Sequence, residues 1–374
     1  MHAFPESASA ERPARAPGPA TLIIGVNWLG DSLMTMPAIQ AWRRANPAAP
    51  LVMLVKPKLK SLWALHPAAD EVWELPPGSR ALTAMVRAAR ARKFKTAFVL
   101  PHSFRSALVP FLARVPQRIG PPGHGRDWML TQVVPFRPGA ERAHQLYEYM
   151  AILGVEGGNE APRLKLTPEL TARAGALLGT PGTGWIAVMP GAAYGPAKRW
   201  PAERFAAAGR LLKDRLKCNM IMLGSTAERP LCEAVAHGAG PGSLNLAGQT
   251  TLPELAAVLA RCRLALTNDS GGMHLATAMG IPVVTVFGMT DPARTGPMGA
   301  AVRVLQDSAF HSRDIRRDAP EALASLLRIT PEQVAGAAME LLEQAKGCRL
   351  QEKHDLHDSR ICDPQSFFVP GRFY

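Results

Sequence analysis

From residue 21 onward, short apolar runs alternate with segments patterned for helices, and this alternation constrains the fold more than any other feature of the chain. A continuous apolar run of about 4–8 residues between turn signals reads as a strand buried on both faces, and an intervening helix makes the next strand parallel. Strands are expected at 22–26, 51–55, 71–75, 96–100, 185–189, 218–223, 264–267 and 283–287. These are too many for one small sheet. Between the fourth and fifth, "LKLTPELTARAGALLGTPGTG" has the Pro, Gly and Thr content of a linker with a short helix. The expected fold is α/β: two Rossmann-like, doubly wound domains, 21–165 and 166–346, facing each other across a cleft. Each should carry its ligand loops at the carboxyl ends of its strands.

The flanking segments read differently. Residues 1–20 are rich in Pro and Ala without the apolar core of a signal peptide, and are expected to be a disordered leader. Residues 347–374 match no pattern and are expected to be a flexible tail. Of the 374 residues, 47% are hydrophobic and 20% charged, which excludes a disordered chain. The net charge of +13 and pI near 10.0 favour an anionic partner, whether nucleic acid, acidic membrane or phosphorylated substrate. Five scattered cysteines without a C-x-x-C pair suggest neither a disulfide framework nor a zinc site. The most apolar window, 271–289, is divided by His274, Pro282 and glycines, so no membrane span is expected. A cytoplasmic protein fits these features.

Four loops carry the chemistry. "GVNWLGDS", 25–32, follows the first strand and has the glycine spacing of a phosphate-binding loop, but Asp31 stands where the phosphate-holding lysine belongs. Asp31 is then either a helix N-cap or first-turn acid, or a functional carboxylate. After the strand "LALT", Asn268, Asp269 and Ser270 precede a helix opening with Gly271, Gly272 and His274, a terminus able to take an anion or simply an ordinary capped helix. In "PGAAYGPAKRWPAERF", Lys198 is favoured over Arg199 as a diphosphate contact, because a mobile ammonium suits that ligand. "IMLGSTAERP" sets Glu228 on the same rim, as a ribose acceptor or merely a first-turn acid.

Taken in order, "VNWLGDSLMTMPAIQAWRRANP", "PGAAYGPAKRWPAERF", "NLAGQTTLPELAAVLARC" and "TNDSGGMHLATAMGIPVVTVFGMTDPARTGP" give the chain, from about 21 to 299, a close resemblance to glycosyltransferase family 9, the lipopolysaccharide heptosyltransferases, and among them to the type that adds the second heptose. The resemblance implies a GT-B architecture, with the acceptor on the N-terminal domain and the nucleotide sugar on the C-terminal one. It implies inverting transfer of heptose from ADP-heptose to the heptosyl-Kdo-lipid A inner core at the cytoplasmic face of the inner membrane. By the same resemblance Asp31 is the catalytic base. Lys198, Asp269, Ser270, Gly271, Gly272 and His274 lie around the donor, with Glu228 near its ribose. Arg105 and Arg126 are candidates for acceptor carboxylates or phosphates.

The substitution in the first loop then makes chemical sense. A sugar hydroxyl attacking an anomeric carbon must give up its proton, which a carboxylate can take and a protonated lysine cannot. No D-x-D triplet occurs, so no cofactor or obligatory metal is expected, with a stimulatory cation left open. The segments "VRAARARKFK" and "FRSALVPFLARVPQRIG" mix basic and apolar residues, as a surface meeting anionic lipid would or as solvated helix faces do. Nucleic-acid binding is not expected, for lack of a reader motif. The segment after "GPMG" lacks the cysteines common in such sequences. Other readings are a related transferase with a different acceptor, a nucleotide-sugar epimerase, or a non-catalytic sugar-nucleotide binding module. A dinucleotide oxidoreductase is set aside because G-x-G-x-x-G is broken at its second glycine.

Overall fold

A computed structural model describes residues 20–355, apart from 137–138, 140–142, 158–159, 180–183, 300, 309–310 and 312–314. The expected leader lies almost wholly outside these residues, as does most of the expected tail. The N-terminal domain runs β1 (Thr21–Ile24), α1 (Leu29–Ala45), β2 (Leu51–Val55), α2 (Pro57–Ala64), β3 (Glu71–Glu74), α3 (Ser79–Arg92), β4 (Thr96–Val99), α4 (Leu108–Leu112), β5 (Gln117–Gly120), β6 (Gln132–Val133) and α5 (Leu146–Leu153). The C-terminal domain runs α6 (Pro168–Leu178), β7 (Trp185–Met189), α7 (Ala202–Leu216), β8 (Asn219–Met222), α8 (Arg229–Ala239), β9 (Ser243–Asn245), α9 (Leu252–Leu259), β10 (Cys262–Asn268), α10 (Gly271–Ala278), β11 (Val283–Phe287), α11 (Pro292–Thr295), β12 (Val302–Gln306), α12 (Pro320–Arg328) and α13 (Pro331–Asp355).

The two sheets have the same plan. Their strand orders are β3-β2-β1-β4-β5-β6 and β12-β11-β10-β7-β8-β9, with every described pairing parallel. The central strands are buried along their whole length, "TLII" in β1 and "WIAVM" in β7, so they read in sequence as unbroken apolar runs. Strands β5, β6, β9 and β12 were not anticipated. They are short or half-exposed, and such strands carry little apolar signal. Helix α13 runs past residue 347, into the stretch expected as a tail.

In each sheet the connections reverse direction between the first and fourth strands, β1 and β4 on one side and β7 and β10 on the other. At that point the loops leave the sheet to opposite faces and open a crevice at the strands' carboxyl ends. One contiguous apolar cluster spans both domains, from Ile23 and Leu33 through Met189 to Met273 and Phe287. Each fully buried Leu or Ile in it stabilises by about 1.5–3 kcal/mol, so the floor between the crevices is a packed seam. Cys218, Cys232 and Cys262 are buried and unbridged.

Candidate functional site

The loop after β1 delivers Asp31. Helix α1 has Trp28 as its N-cap, and no side chain bonds the first-turn amides. Asp31 is therefore a first-turn acid rather than a cap, at the positive end of the helix. Burial raises its carboxyl above the usual carboxylate range, against a smaller lowering from Lys198 across the cleft. A carboxylate held above its usual affinity for protons is a stronger base.

The loop after β10 delivers a second set of polar groups, with one task for each residue. Asn268 is buried and stitches the loop: its Nδ2 donates to Pro190 O at 2.7 Å and its Oδ1 accepts from Trp200 N at 2.9 Å. Ser270 is the cap of α10, its Oγ accepting from Gly272 N at 3.4 Å. Asp269 is 6% exposed and its Oδ2 accepts from Lys198 Nζ at 2.6 Å and from Thr290 Oγ1 at 2.5 Å. Lys198 is brought there by the loop after β7, with its Nζ 5.6 Å from the centre of the Tyr194 ring. Arg199 turns away, and its guanidinium donates to Ala192 O at 3.1 and 3.2 Å, which clamps the same loop.

Helices α1 and α10 meet start to start, and glycines allow it. A Cβ on Gly271 would lie 3.0 Å from the Leu29 side chain, and one on Gly30 would lie 3.2 Å from His274 Cδ2. Gly272 lets α10 sit on the sheet, since a Cβ there would come 2.7 Å from Met189 Sδ. His274 is buried and pulled down to about 3 by burial first, then by His144 and Lys198, so it is neutral at physiological pH. The positive field at this end comes from Lys198 and the α10 terminus. His274 adds a neutral imidazole.

Glu228 closes a short turn ahead of α8. Its Oε2 accepts from Ser225 N and Ser225 Oγ, both at 2.8 Å, a reciprocal capping box. It also lies over Gly191, where any Cβ would collide with its Oε1, so the carboxylate is on the rim of the β7 crevice. The two arginines separate. Arg105 is exposed in the loop after β4. Arg126 is fully buried: Nη1 donates to Ser103 O at 3.2 Å and Ser106 Oγ at 2.6 Å, and Nη2 donates to Pro121 O at 2.8 Å. Burial pulls its guanidinium down to about 10. Arg126, expected as an acceptor contact, thus has Nη1 and Nη2 engaged by two loops, while its buried Nε has no hydrogen-bond partner among the described residues.

Several groups at the site had no sequence signal of their own. Glu148 at α5 pairs with Arg294 at α11 at 2.6 Å, both nearly buried, and His144 Nε2 lies 3.0 Å from Gly296 O. Leu146 N donates to His144 Nδ1, which leaves Nε2 as the donor to that carbonyl. Tyr149 is buried, accepts from Gln145 Nε2 at 2.8 Å, and is pushed far up by burial and then by the Asp31 charge. Polar His144 and Gln145 just ahead of the apolar "LYEYMAIL" were the visible hint. Among the described residues no group of three or more His, Cys, Asp or Glu is placed to hold a metal ion.

The chain resembles known proteins over most of its length. The profile of glycosyltransferase family 9 (heptosyltransferase) matches residues 82–323. Lipopolysaccharide heptosyltransferase 2 of Escherichia coli K12 is 30% identical over 355 residues, 89% of this chain and 99% of that protein. Lipooligosaccharide heptosyltransferase 2 of Haemophilus influenzae is 30% identical over 86% of this chain and 99% of its own length. The solved structure of E. coli ADP-heptose LPS heptosyltransferase II superposes with a TM-score of 0.76 at 25% identity, covering 87% of this chain and 99% of that one. Two facing Rossmann-like domains of GT-B type, a carboxylate on one crevice and a serine-capped, glycine-opened helix start on the other thus occur in a chain that is a glycosyltransferase and belongs to glycosyltransferase family 9, the heptosyltransferases.

Proposed function

We propose that the cleft transfers heptose, with inversion, from ADP-heptose to an inner-core sugar of lipid A that already bears one heptose. The observation that carries this reading is the placement of Asp31 on one crevice, facing the Lys198–Asp269 pair and α10 terminus on the other. The acceptor hydroxyl oxygen attacks the anomeric carbon as the bond to the ADP phosphate oxygen breaks. ADP leaves with the bonding electrons, and the hydroxyl proton passes to Asp31. Lys198 and the amides opening α10 at Ser270 and Gly271 stabilise the diphosphate charge as it grows, while Gly272, its amide held by the Ser270 cap, keeps the donor side close to the sheet. His274 orients the leaving group without adding charge, Asp269 fixes Lys198, and Glu228 on the rim receives the ribose. No step needs a bound metal. Arg105 is the exposed acceptor-side cation, and Arg126 holds its loop.

We place the division of labour at a domain boundary near 165. Lys165 N still bonds Leu65 O, whereas α6 packs on α9. The acceptor is lipid-anchored, so we place the protein at the cytoplasmic face of the inner membrane; no described helix is long and apolar enough to cross it. The test is ADP release from ADP-heptose with and without the mono-heptosylated acceptor. Acceptor-dependent release with one heptose added supports the reading. Transfer only to an acceptor lacking heptose, or to a later core sugar, assigns another member's reaction. Acceptor-independent release points to an epimerase-like hydrolysis, and intact donor with every acceptor to a binding module.

A further inference from the structure

The buried Arg126 draws together two loops at the acceptor end of the N-terminal sheet, 103–106 after β4 and 121–128 after β5. Its consequence is outside the cleft. Phe104 and Trp128 are brought to 6.5 Å between ring centres, and Trp128 packs edge-on against Phe111 at 5.0 Å. This cluster is not covered. Trp128 is 63% exposed, Phe104 41% and neighbouring Leu112 39%. Arginines frame it: Arg118 lies 5.7 Å from the centre of the Phe111 ring with its guanidinium donating to Met129 O and Val115 O at 2.6 Å each, Arg90 donates to Leu112 O at 2.7 and 3.1 Å, and exposed Arg114 follows α4 in a left-handed turn. Asp127 is the exposed acid among them, and its Oδ1 is bonded to Gly123 N at 3.1 Å.

We propose that this patch inserts into an anionic phospholipid surface and thereby docks the acceptor domain on the membrane. The charge and side-chain types decide for a bilayer over a protein partner. Aromatic rings with a polar edge, of which the Trp128 indole bonded to Gly125 O is one, settle at the headgroup boundary, while arginine stems lie along apolar surface and place their charge among phosphates. Each arginine near an anionic leaflet adds attraction that salt weakens. Phe104 and Trp128, like Asp31, sit on loops at the carboxyl edge of one parallel sheet, while Arg90 and Arg114, on segments leading into β4 and β5, lie toward its amino edge, so insertion of the two rings turns the acceptor crevice toward a lipid-anchored sugar. The orientation argument rests on the proposed transfer; the membrane contact itself does not.

The test uses the full chain with two variants, Phe104→Ser with Trp128→Ser, and Arg114→Glu. None of these residues belongs to the catalytic or donor machinery, and melting curves confirm folding. Wild type is expected to co-sediment with vesicles of phosphatidylglycerol and phosphatidylcholine, and far less with phosphatidylcholine alone. The aromatic pair should weaken binding at least tenfold, and Arg114→Glu should weaken it most at low salt. Turnover on a deacylated, water-soluble acceptor should be unchanged while turnover on a vesicle-embedded acceptor falls. Equal vesicle binding by wild type and the aromatic variant, or none by wild type, overturns the proposal. So does sedimentation velocity in which wild type is dimeric and the variant monomeric, which would make the patch a contact between copies. Loss of vesicle binding with no transfer to either acceptor would spare the surface and overturn the activity reading.

Discussion

Asp31→Asn keeps the side-chain volume and its hydrogen-bonding reach but removes the ability to take a proton. A positioned general base contributes about 10²–10⁴-fold, so kcat should fall by that factor, about 2.7–5.4 kcal/mol at 1.36 kcal/mol per decade. ADP-heptose affinity should be unchanged or tighter, because the donor groups are across the cleft and one negative charge near a diphosphate is gone. Stability should move the opposite way. The folded-state carboxyl is raised by burial, so in the pH window between its unfolded and folded values the native state holds more protons than the unfolded one. The charged form therefore costs stability above the folded value, and the cost vanishes as pH falls below the ordinary carboxylate range. The asparagine variant should gain up to about 1 kcal/mol near pH 7–8, the scale of a site strained for activity, and lose that gain below about pH 4. The assay combines single-turnover ADP release, calorimetric titration with ADP, and melting curves from pH 4 to 8. Turnover within tenfold of wild type in a folded variant would refute the general-base role. Parallel loss of ADP affinity would mean that Asp31 belongs to the donor site instead.

Three further outcomes follow from the geometry. Lys198→Ala leaves Asp269 buried with Thr290 as its remaining side-chain partner, so it should cost about 3–5 kcal/mol of stability and weaken ADP binding; adding Asp269→Asn should restore melting but not affinity. Because Lys198 lowers the Asp31 carboxyl, the acid limb of the kcat/KM profile should also move to higher pH in Lys198→Ala alone, and an unmoved limb would sink that electrostatic link. Gly271→Ala puts a methyl 3.0 Å from Leu29 Cβ, Cγ and Cδ2 and should cost about 1–3 kcal/mol, relieved only in part by Leu29→Ala, which removes Cγ and Cδ2 but keeps Cβ, as read from thermal melts. For the nearly buried Glu148–Arg294 pair, a cycle of Glu148→Gln and Arg294→Met should give a coupling energy of about 1 kcal/mol or more in denaturant melts, with near-zero coupling refuting a bridge between the domains.

How much of the site was legible varied with how local its cause was. The loops after β1, β7 and β10 were readable because glycines, caps and prolines announce a strand giving way to a helix. Asp31 stood out because it replaced an expected lysine. The burial of Arg126 was not legible, because an arginine in a Gly-rich turn has the same sequence signature whether it faces solvent or folds back on carbonyls. His144, Glu148, Tyr149 and Arg294 went unseen because each matters only through a partner on a distant segment. The edge strands were missed for want of the two-sided burial that makes β1 and β7 conspicuous.

By itself the sequence determined two parallel sheets and which loops lie at their carboxyl edges, because strands buried on both faces must be written as continuous apolar runs and each helix start must be capped where it begins. The tertiary structure alone decided that α1 and α10 meet through Gly30 and Gly271, that His274 is neutral, that Asp31 holds its proton more tightly than an ordinary carboxylate, and that Arg126 is buried inside the fold. Those properties come from desolvation and from charges brought together across the seam between domains, and no local stretch of sequence contains that distance.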